Sequence, residues 1–205
     1  STYTYLLADE TTREAVLIDP VIEQFERDRT LIQELALKLL YILETHVHAD
    51  HVTGSGLLRE YFGAKSVVSK RANVVCPDIL VQHGDRLRFG AHTLEVRETP
   101  GHTDGCVSYV STEPRMAFTG DALLIRGCGR TDFQQGDAEL LYRSVHDQLL
   151  SLPEDTLVYP GHDYQGRTAS SIGEERRLNP RLGQGKTQEE FVRIMRELAL
   201  PYPKQ

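Results

Sequence analysis

Along most of the chain, short apolar runs alternate with polar turns; towards the end the spacing becomes helical. Residues 2–7 and 14–19 read as strands on either side of the polar turn 8–12. Roughly residues 23–37 predict a helix with Leu31, Ile32 and Leu35 on its apolar face. Residues 40–44 form a short apolar strand that runs into a histidine-rich segment, and residues 53–62 predict a helix with Leu57, Leu58 and Tyr61 inward. A series of short strands follows at 66–69, 79–83, 86–89, 93–98, 106–111 and 115–119, with turns at Gly84-Asp85 and Gly90-Ala91.

Later, Asp137 is placed to cap a helix running to about residue 150, with Leu141, Val145 and Leu149 at i, i+4 and i+8. Residues 157–159 make one more strand. Thr187 and Glu190 form a capping box ahead of a helix carrying Phe191, Ile194, Met195 and Leu198 on one face, which Pro201 should end. Strands flanked by helices predict a layered α/β domain, and the absence of any repeat or linker predicts a single domain over residues 1–205.

Composition narrows the partners. With 23 Lys+Arg against 30 Asp+Glu the net charge is −7, which argues against a nucleic-acid partner. The longest apolar run, residues 39–43, is far short of the ~20 residues a transmembrane helix needs, so no membrane span is expected. The opening residues carry no signal-peptide pattern. Three cysteines without a CxxC pair point away from a disulfide framework and from a cysteine zinc site, and towards a reducing compartment.

Eight histidines are the informative excess, and five of them fall in one pattern. His46, His48, Asp50 and His51 form H-x-H-x-D-H directly after a strand. At this composition, chance gives such a string on the order of once in a thousand chains of this length. His102 follows Pro100-Gly101 after strand 93–98, Asp121 follows Gly120 after strand 115–119, and His162 follows Gly161 after strand 157–159. Imidazoles and carboxylates are the ligand set of Zn, Fe or Mn. Strand ends are where loops of α/β sheets assemble sites. The bland alternative is a solvated polar loop, which does not account for four strand ends all carrying ligand residues. His83, His92 and His146 lie outside the pattern and read as ordinary core or surface residues.

In this order, HxHxDH then His, Asp and His, the chain resembles the metallo-β-lactamase superfamily from its first strand to about Asn179-Pro180. The resemblance implies a four-layer αββα sandwich with a metal at one edge of two sheets. Within the superfamily the chain is most similar to persulfide (sulfur) dioxygenases of the ethylmalonic-encephalopathy type, through residues 3–7, 45–58, 117–136 and 178–181, above all 127–135. The resemblance implies one Fe(II) per chain held by His46, His102 and Asp121, with open positions for substrate and O2. It implies oxidation of glutathione persulfide with O2 and water to sulfite and glutathione. His48, Asp50, His51 and His162 would hold ligands and waters by hydrogen bonds or, alternatively, complete a second metal site.

Arg130 and Tyr164 match glutathione-contacting positions of the related thioesterases. Arg181 and Cys128 are further candidates for the substrate pocket, Cys128 because it lies near Arg126 and Arg130. The main alternative is a glyoxalase II-like glutathione thiolester hydrolase with one or two Zn ions. The 43 residues after His162 are too few for the helical C-terminal domain of those enzymes. An electron-transfer module like the diiron flavoproteins is less favoured, because those carry a flavin domain. A homodimer is the one macromolecular assembly expected. The expected location is the bacterial cytoplasm, or the mitochondrial matrix after removal of a transit peptide.

Overall fold

The computed structural model describes residues 2–198; the expected helix stop at Pro201 lies outside them. The first half builds β1 (Tyr5–Ala8), β2 (Glu14–Ile18), α1 (Phe25–Glu34), β3 (Lys38–Leu43), α2 (Ser55–Phe62), β4 (Lys65–Ser69) and β5 (Ile79–Val81). The second half builds β6 (Arg86–Phe89), β7 (His92–Glu98), β8 (Val107–Thr112), β9 (Arg115–Gly120), α3 (Ala138–Gln148), β10 (Leu157–Pro160), β11 (Ser170–Ser171), α4 (Ile172–Leu178) and α5 (Gln188–Glu197). One sheet has the order β1-β2-β3-β4-β5 and the other β11-β10-β9-β8-β7-β6.

The period of two along each strand divides the apolar side chains between an inner and an outer layer. Val16, Ile18, Leu43, Val67, Val96, Tyr109 and Phe118 meet between the sheets. Ala15, Leu17, Leu39 and Ile42 face outward to Ile32 of α1 and Leu58 of α2. Val110, Ala117 and Val158 face the other way, to Leu141 and Val145 of α3 and Phe191 of α5. These three cores define the αββα layers. In β3 the register slips by one residue opposite Ala15 and Val16, so Leu39 and Ile42, three apart, point to the same side. No helix among the described residues is long and apolar enough to cross a membrane.

The caps at Asp137 and Thr187 form as expected, Asp137 accepting from Leu140 N and Thr187 forming a full capping box with Glu190. The first two helices correct the expected faces. In α1 only Ile32 and Asp28 are buried, while Leu31 and Leu35 are exposed. In α2 Leu58 is fully buried, and Leu57 and Tyr61 lie outward, Tyr61 packing edge-on against Phe25 beneath the Arg29 guanidinium. A short amphipathic helix can be assigned two apolar faces from spacing alone, and tertiary packing selects one. Helix α4 is absent from the pattern reading. It is seven residues long with Ile172 as its one apolar contact to the core, and Ser171 caps it by accepting from Glu174 N.

Strand direction places the site. β2 and β3 are parallel. β9 and β10 are parallel, and β7 runs the same way because it and β9 both oppose β8. The C-terminal ends of β7, β9 and β10 therefore share one edge of their sheet. Val107 N donating to Thr45 O and Tyr109 OH donating to Glu44 O join that edge to the end of β3.

Candidate metal centre

His46, His102 and Asp121 each present a ligand atom at this edge, and the three atoms lie within 4.8 Å of one another. Their hydrogen bonds decide which atoms face inward. Thr45 Oγ1 donates its single proton to Asp19 Oδ2 at 2.7 Å, so toward His46 Nδ1, 2.9 Å away, it can only accept. His46 therefore carries its proton on Nδ1 and presents Nε2. His102 Nδ1 lies 2.7 Å from the Arg130 carbonyl oxygen, an acceptor only, so His102 likewise presents Nε2. A backbone or hydroxyl partner on the remote nitrogen is the arrangement that fixes a metal-binding imidazole. Asp121 receives His162 Nδ1 on Oδ1 at 2.7 Å, which leaves Oδ2, 3.7 Å from His102 Nε2.

The protonation states agree with this donor set. Burial, reinforced by the neighbouring His48, lowers the His46 pKa to about 3, so the imidazole is neutral. Burial alone would raise the pKa of Asp121, but the His162 hydrogen bond and charge hold it below the usual carboxylate range. Burial opposes a charge on His162, yet bonds to Asp121 and Asp50 outweigh it and push its pKa up to about 10. His162 Nε2 lies 3.0 Å from Asp50 Oδ2, so both ring nitrogens donate to carboxylates.

Two glycines are required by close approach. A Cβ on Gly129 would lie 2.8 Å from His102 Cγ and Nδ1 and 2.8 Å from the Asp121 carbonyl. Gly120 has φ +50°, and its Cβ would lie 2.5 Å from Thr45 Oγ1. Gly129 N also donates to Asp121 O at 2.6 Å, so the segment after β9 folds directly over two of the three candidate ligands.

That segment is anchored from α4. Glu175, fully buried, accepts from Arg126 N at 2.8 Å and from the Arg126 guanidinium, while Asn179 Nδ2 donates to Gly127 O at 3.1 Å. The helix missed by pattern reading thus holds the loop whose Arg130 carbonyl orients His102.

Behind the triad lie buried groups that the sequence reading did not single out. Asp19, at the end of β2, accepts from Thr45 N and Oγ1, both at 2.7 Å, and its Oδ1 is 3.3 Å from His48 Nε2. Glu44, at the end of β3, takes the Thr53 and Ser55 hydroxyls on one oxygen and faces His48 Nε2 at 3.7 Å with the other. Burial and the Asp19 charge push the Glu44 pKa up to about 7. The available signal was an acidic residue closing each of two apolar strands.

His48 belongs to this buried group and also to a second one with Asp50 and His51, whose ligand atoms again lie within 4.8 Å of one another. His51 Nδ1 lies 3.3 Å from Asp50 Oδ2, and its buried Nε2 has no hydrogen-bond partner among the described residues.

The substrate candidates separate. The Arg130 guanidinium pairs with Asp132 through Nε at 2.7 Å and Nη2 at 2.8 Å, beside the Phe133 ring. Tyr164 is 80% exposed, and its ring stacks on His162 with centroids 6.1 Å apart. Cys128 corrects the expectation of a pocket thiolate. It is buried in the α3–α5 core, 3.8 Å from Met195 Sδ, and burial pushes its pKa up to about 11. Arg181 is also turned elsewhere: its Nη1 donates to the Cys128 carbonyl at 3.1 Å and so braces the loop.

Comparison with known proteins agrees with the fold. Residues 1–162 match the Metallo-beta-lactamase superfamily. Persulfide dioxygenase ETHE1, mitochondrial, of Homo sapiens is 58% identical over 205 residues, covering 100% of this chain and 80% of the relative. The crystal structure of ETHE1 from Myxococcus xanthus superposes with a TM-score of 0.95 at 55% identity, over 99% of this chain and 88% of that one. Hydroxyacylglutathione hydrolase of Rhizobium meliloti (strain 1021) is 37% identical over 169 residues, 79% of this chain and 62% of the relative. Fold, strand-end site and near-full-length identity converge: the chain belongs to the metallo-beta-lactamase superfamily, in its ETHE1 persulfide dioxygenase branch.

Proposed function

We propose that the chain is a persulfide dioxygenase that holds one Fe(II) on His46, His102 and Asp121 and oxidises glutathione persulfide with O2 and water to sulfite and glutathione. The observation that carries this reading is the 58% identity to the human persulfide dioxygenase over the entire chain. The donor set supports the metal: two imidazoles whose remote nitrogens are hydrogen-bonded, and one ionised carboxylate. Bound there, iron would supply the redox chemistry with O2 that no side chain offers.

The protein's own part is positioning. Thr45 and Asp19 fix His46, the Arg130 carbonyl fixes His102, and His162 fixes Asp121 on one oxygen. With both nitrogens donating to carboxylates, His162 is disposed to support Asp121 rather than to bind a second ion, which favours one metal over two. Arg130 is assigned to a glutathione carboxylate, for which it would exchange the half-exposed Asp132; Tyr164 is assigned to flank the same ligand. In the overall reaction both atoms of O2 join the terminal sulfur. Water then cleaves the sulfur–sulfur bond, leaving the glutathione thiol and sulfite.

The human relative's name places that protein in mitochondria, which supports a mitochondrial over a bacterial cytoplasmic location. Metal analysis of protein produced without added zinc tests the reading. One iron per chain is expected; two zinc ions and no iron would turn it towards thiolester hydrolysis.

A further inference from the structure

The segment ahead of β1 is tied across the sandwich. Tyr3 N donates to Gly161 O at 2.9 Å, Tyr3 OH to Arg167 O at 2.9 Å and Tyr5 OH to Pro160 O at 2.6 Å. Thr2 pairs with His162 as an isolated antiparallel bridge. Residues 2–5, at the edge of the first sheet, are thereby strapped to the loop after β10 in the second. The strap brings Thr2 Oγ1 to 3.3 Å from Asp50 Oδ2, to which it donates, and to 3.2 Å from His162 Nε2.

We propose that Thr2 is a positioning residue of the metal centre, its hydroxyl holding the Asp50–His162 pair that in turn aims Asp121. This rests on the reading of His46, His102 and Asp121 as the metal triad. The proton of the Thr2 hydroxyl goes to Asp50, and its oxygen then accepts, together with Asp50 Oδ2, from His162 Nε2–H. The other His162 nitrogen is thereby directed at Asp121 Oδ1, 2.7 Å away, and Asp121 Oδ2 is kept for the metal.

Asp50 needs this help because its side chain is 40% exposed and water competes for it. A hydroxyl delivered by a strap with three further anchors competes better than a mobile water, since its ordering is already complete. Thr2 bonds to Asp50 and His162 and to none of His46, His102 and Asp121, so its effect on that triad must travel through His162. Loss of one such bond should weaken metal retention about 3- to 10-fold, less than the roughly 10- to 100-fold typical of a group bonded to a ligand itself.

The test uses cobalt(II) as the probe. Metal-free full-length protein is titrated against a competing chelator and followed by visible absorption, for the wild type, Thr2→Val and Thr2→Ser; melting of the metal-free forms is recorded in parallel. Thr2→Val should raise the cobalt Kd about 3- to 10-fold while metal-free melting stays close to wild type, and Thr2→Ser should restore the wild-type Kd. If Thr2→Val binds cobalt as tightly as wild type, or Thr2→Ser is as weak as Thr2→Val, the role is refuted and the triad stands. If the wild-type chain takes up no cobalt, the triad reading falls, and this proposal with it.

Discussion

Gly129 provides the most demanding mutational test of how the centre is packed. A methyl group there would sit 2.8 Å from two atoms of the His102 ring and 2.8 Å from the Asp121 carbonyl. Carbon atoms rest comfortably at about 3.5–4.0 Å, so roughly 0.7 Å must be found. Neither neighbour can yield freely: the ring is bonded to Arg130 O, and the Asp121 carbonyl accepts from Gly129 N at 2.6 Å. Metal sites tolerate ligand displacements of only about 0.2 Å. Overpacking of this kind costs about 1–3 kcal/mol. Falling on the metal-bound state, that is a roughly 5- to 150-fold increase in metal Kd for Gly129→Ala. The control is two residues away: a Cβ on Gly127 would meet nothing closer than Leu124 Cβ at 4.0 Å, so Gly127→Ala should bind metal like wild type. Chelator competition gives the Kd values, and melting of the metal-free proteins separates ligand displacement from general unfolding. Equal metal affinities for the two alanine variants would refute the packing argument.

Four further outcomes follow from the same contacts. Thr45→Val removes the acceptor that fixes the His46 tautomer and should weaken metal binding about 10- to 100-fold, while Thr45→Ser keeps it; chelator competition distinguishes them. Cys128→Ala should cost about 1–2 kcal/mol in urea unfolding yet leave KM for glutathione persulfide unchanged, because the thiol packs on Met195 in the core. Arg130→Ala should raise that KM roughly 10- to 100-fold with a smaller effect on kcat, the signature of lost carboxylate binding. Asp9 accepts from Ala91 N, Thr12 N and Thr11 N, with Ala91 the largest influence, and these bonds lower its pKa from 3.8 to about 2. A depressed carboxyl pKa stabilises the fold above the unfolded value and ceases to as pH falls through the folded one. The urea-midpoint advantage of wild type over Asp9→Asn should therefore be full near neutral pH and vanish as pH drops from about 4 to about 2.

The strand ends and their histidines were legible because two regularities coincide. Period-two apolar runs mark the strands, and His46, His102, Asp121 and His162 each lie one to four residues past the end of one. That proximity singles out His46, His102 and Asp121, and the shared direction of β7, β9 and β10 brings their strand ends to one edge. Asp19 and Glu44 were not legible, since a carboxylate after a strand reads as solvated until a buried histidine is found facing it. Thr2 carries no local signal, because its neighbours in the site are 48 and 160 residues away. Helix α4 escaped for a different reason: with Ile172 its one apolar contact to the core and Arg176 and Arg177 in its last turn, it has too little amphipathic pattern to register. In α1 and α2 the helices were visible but their faces were not. Leu31 and Leu35 compete on spacing with the 25–28–32 stripe, and only docking on β2 and β3 selects the latter. Cys128 misled because sequence proximity to Arg126 and Arg130 suggested a charged setting, whereas the chain turns the thiol into the α3–α5 core.

Oxygen uptake by the iron-loaded protein, measured with glutathione persulfide as sole substrate, tests the central claim most directly. Persulfide-dependent uptake is expected, with one sulfite formed for each O2 consumed and loss of both on Asp121→Asn. Absence of oxygen uptake from protein carrying its full iron complement, with S-lactoylglutathione hydrolysed instead, would contradict it.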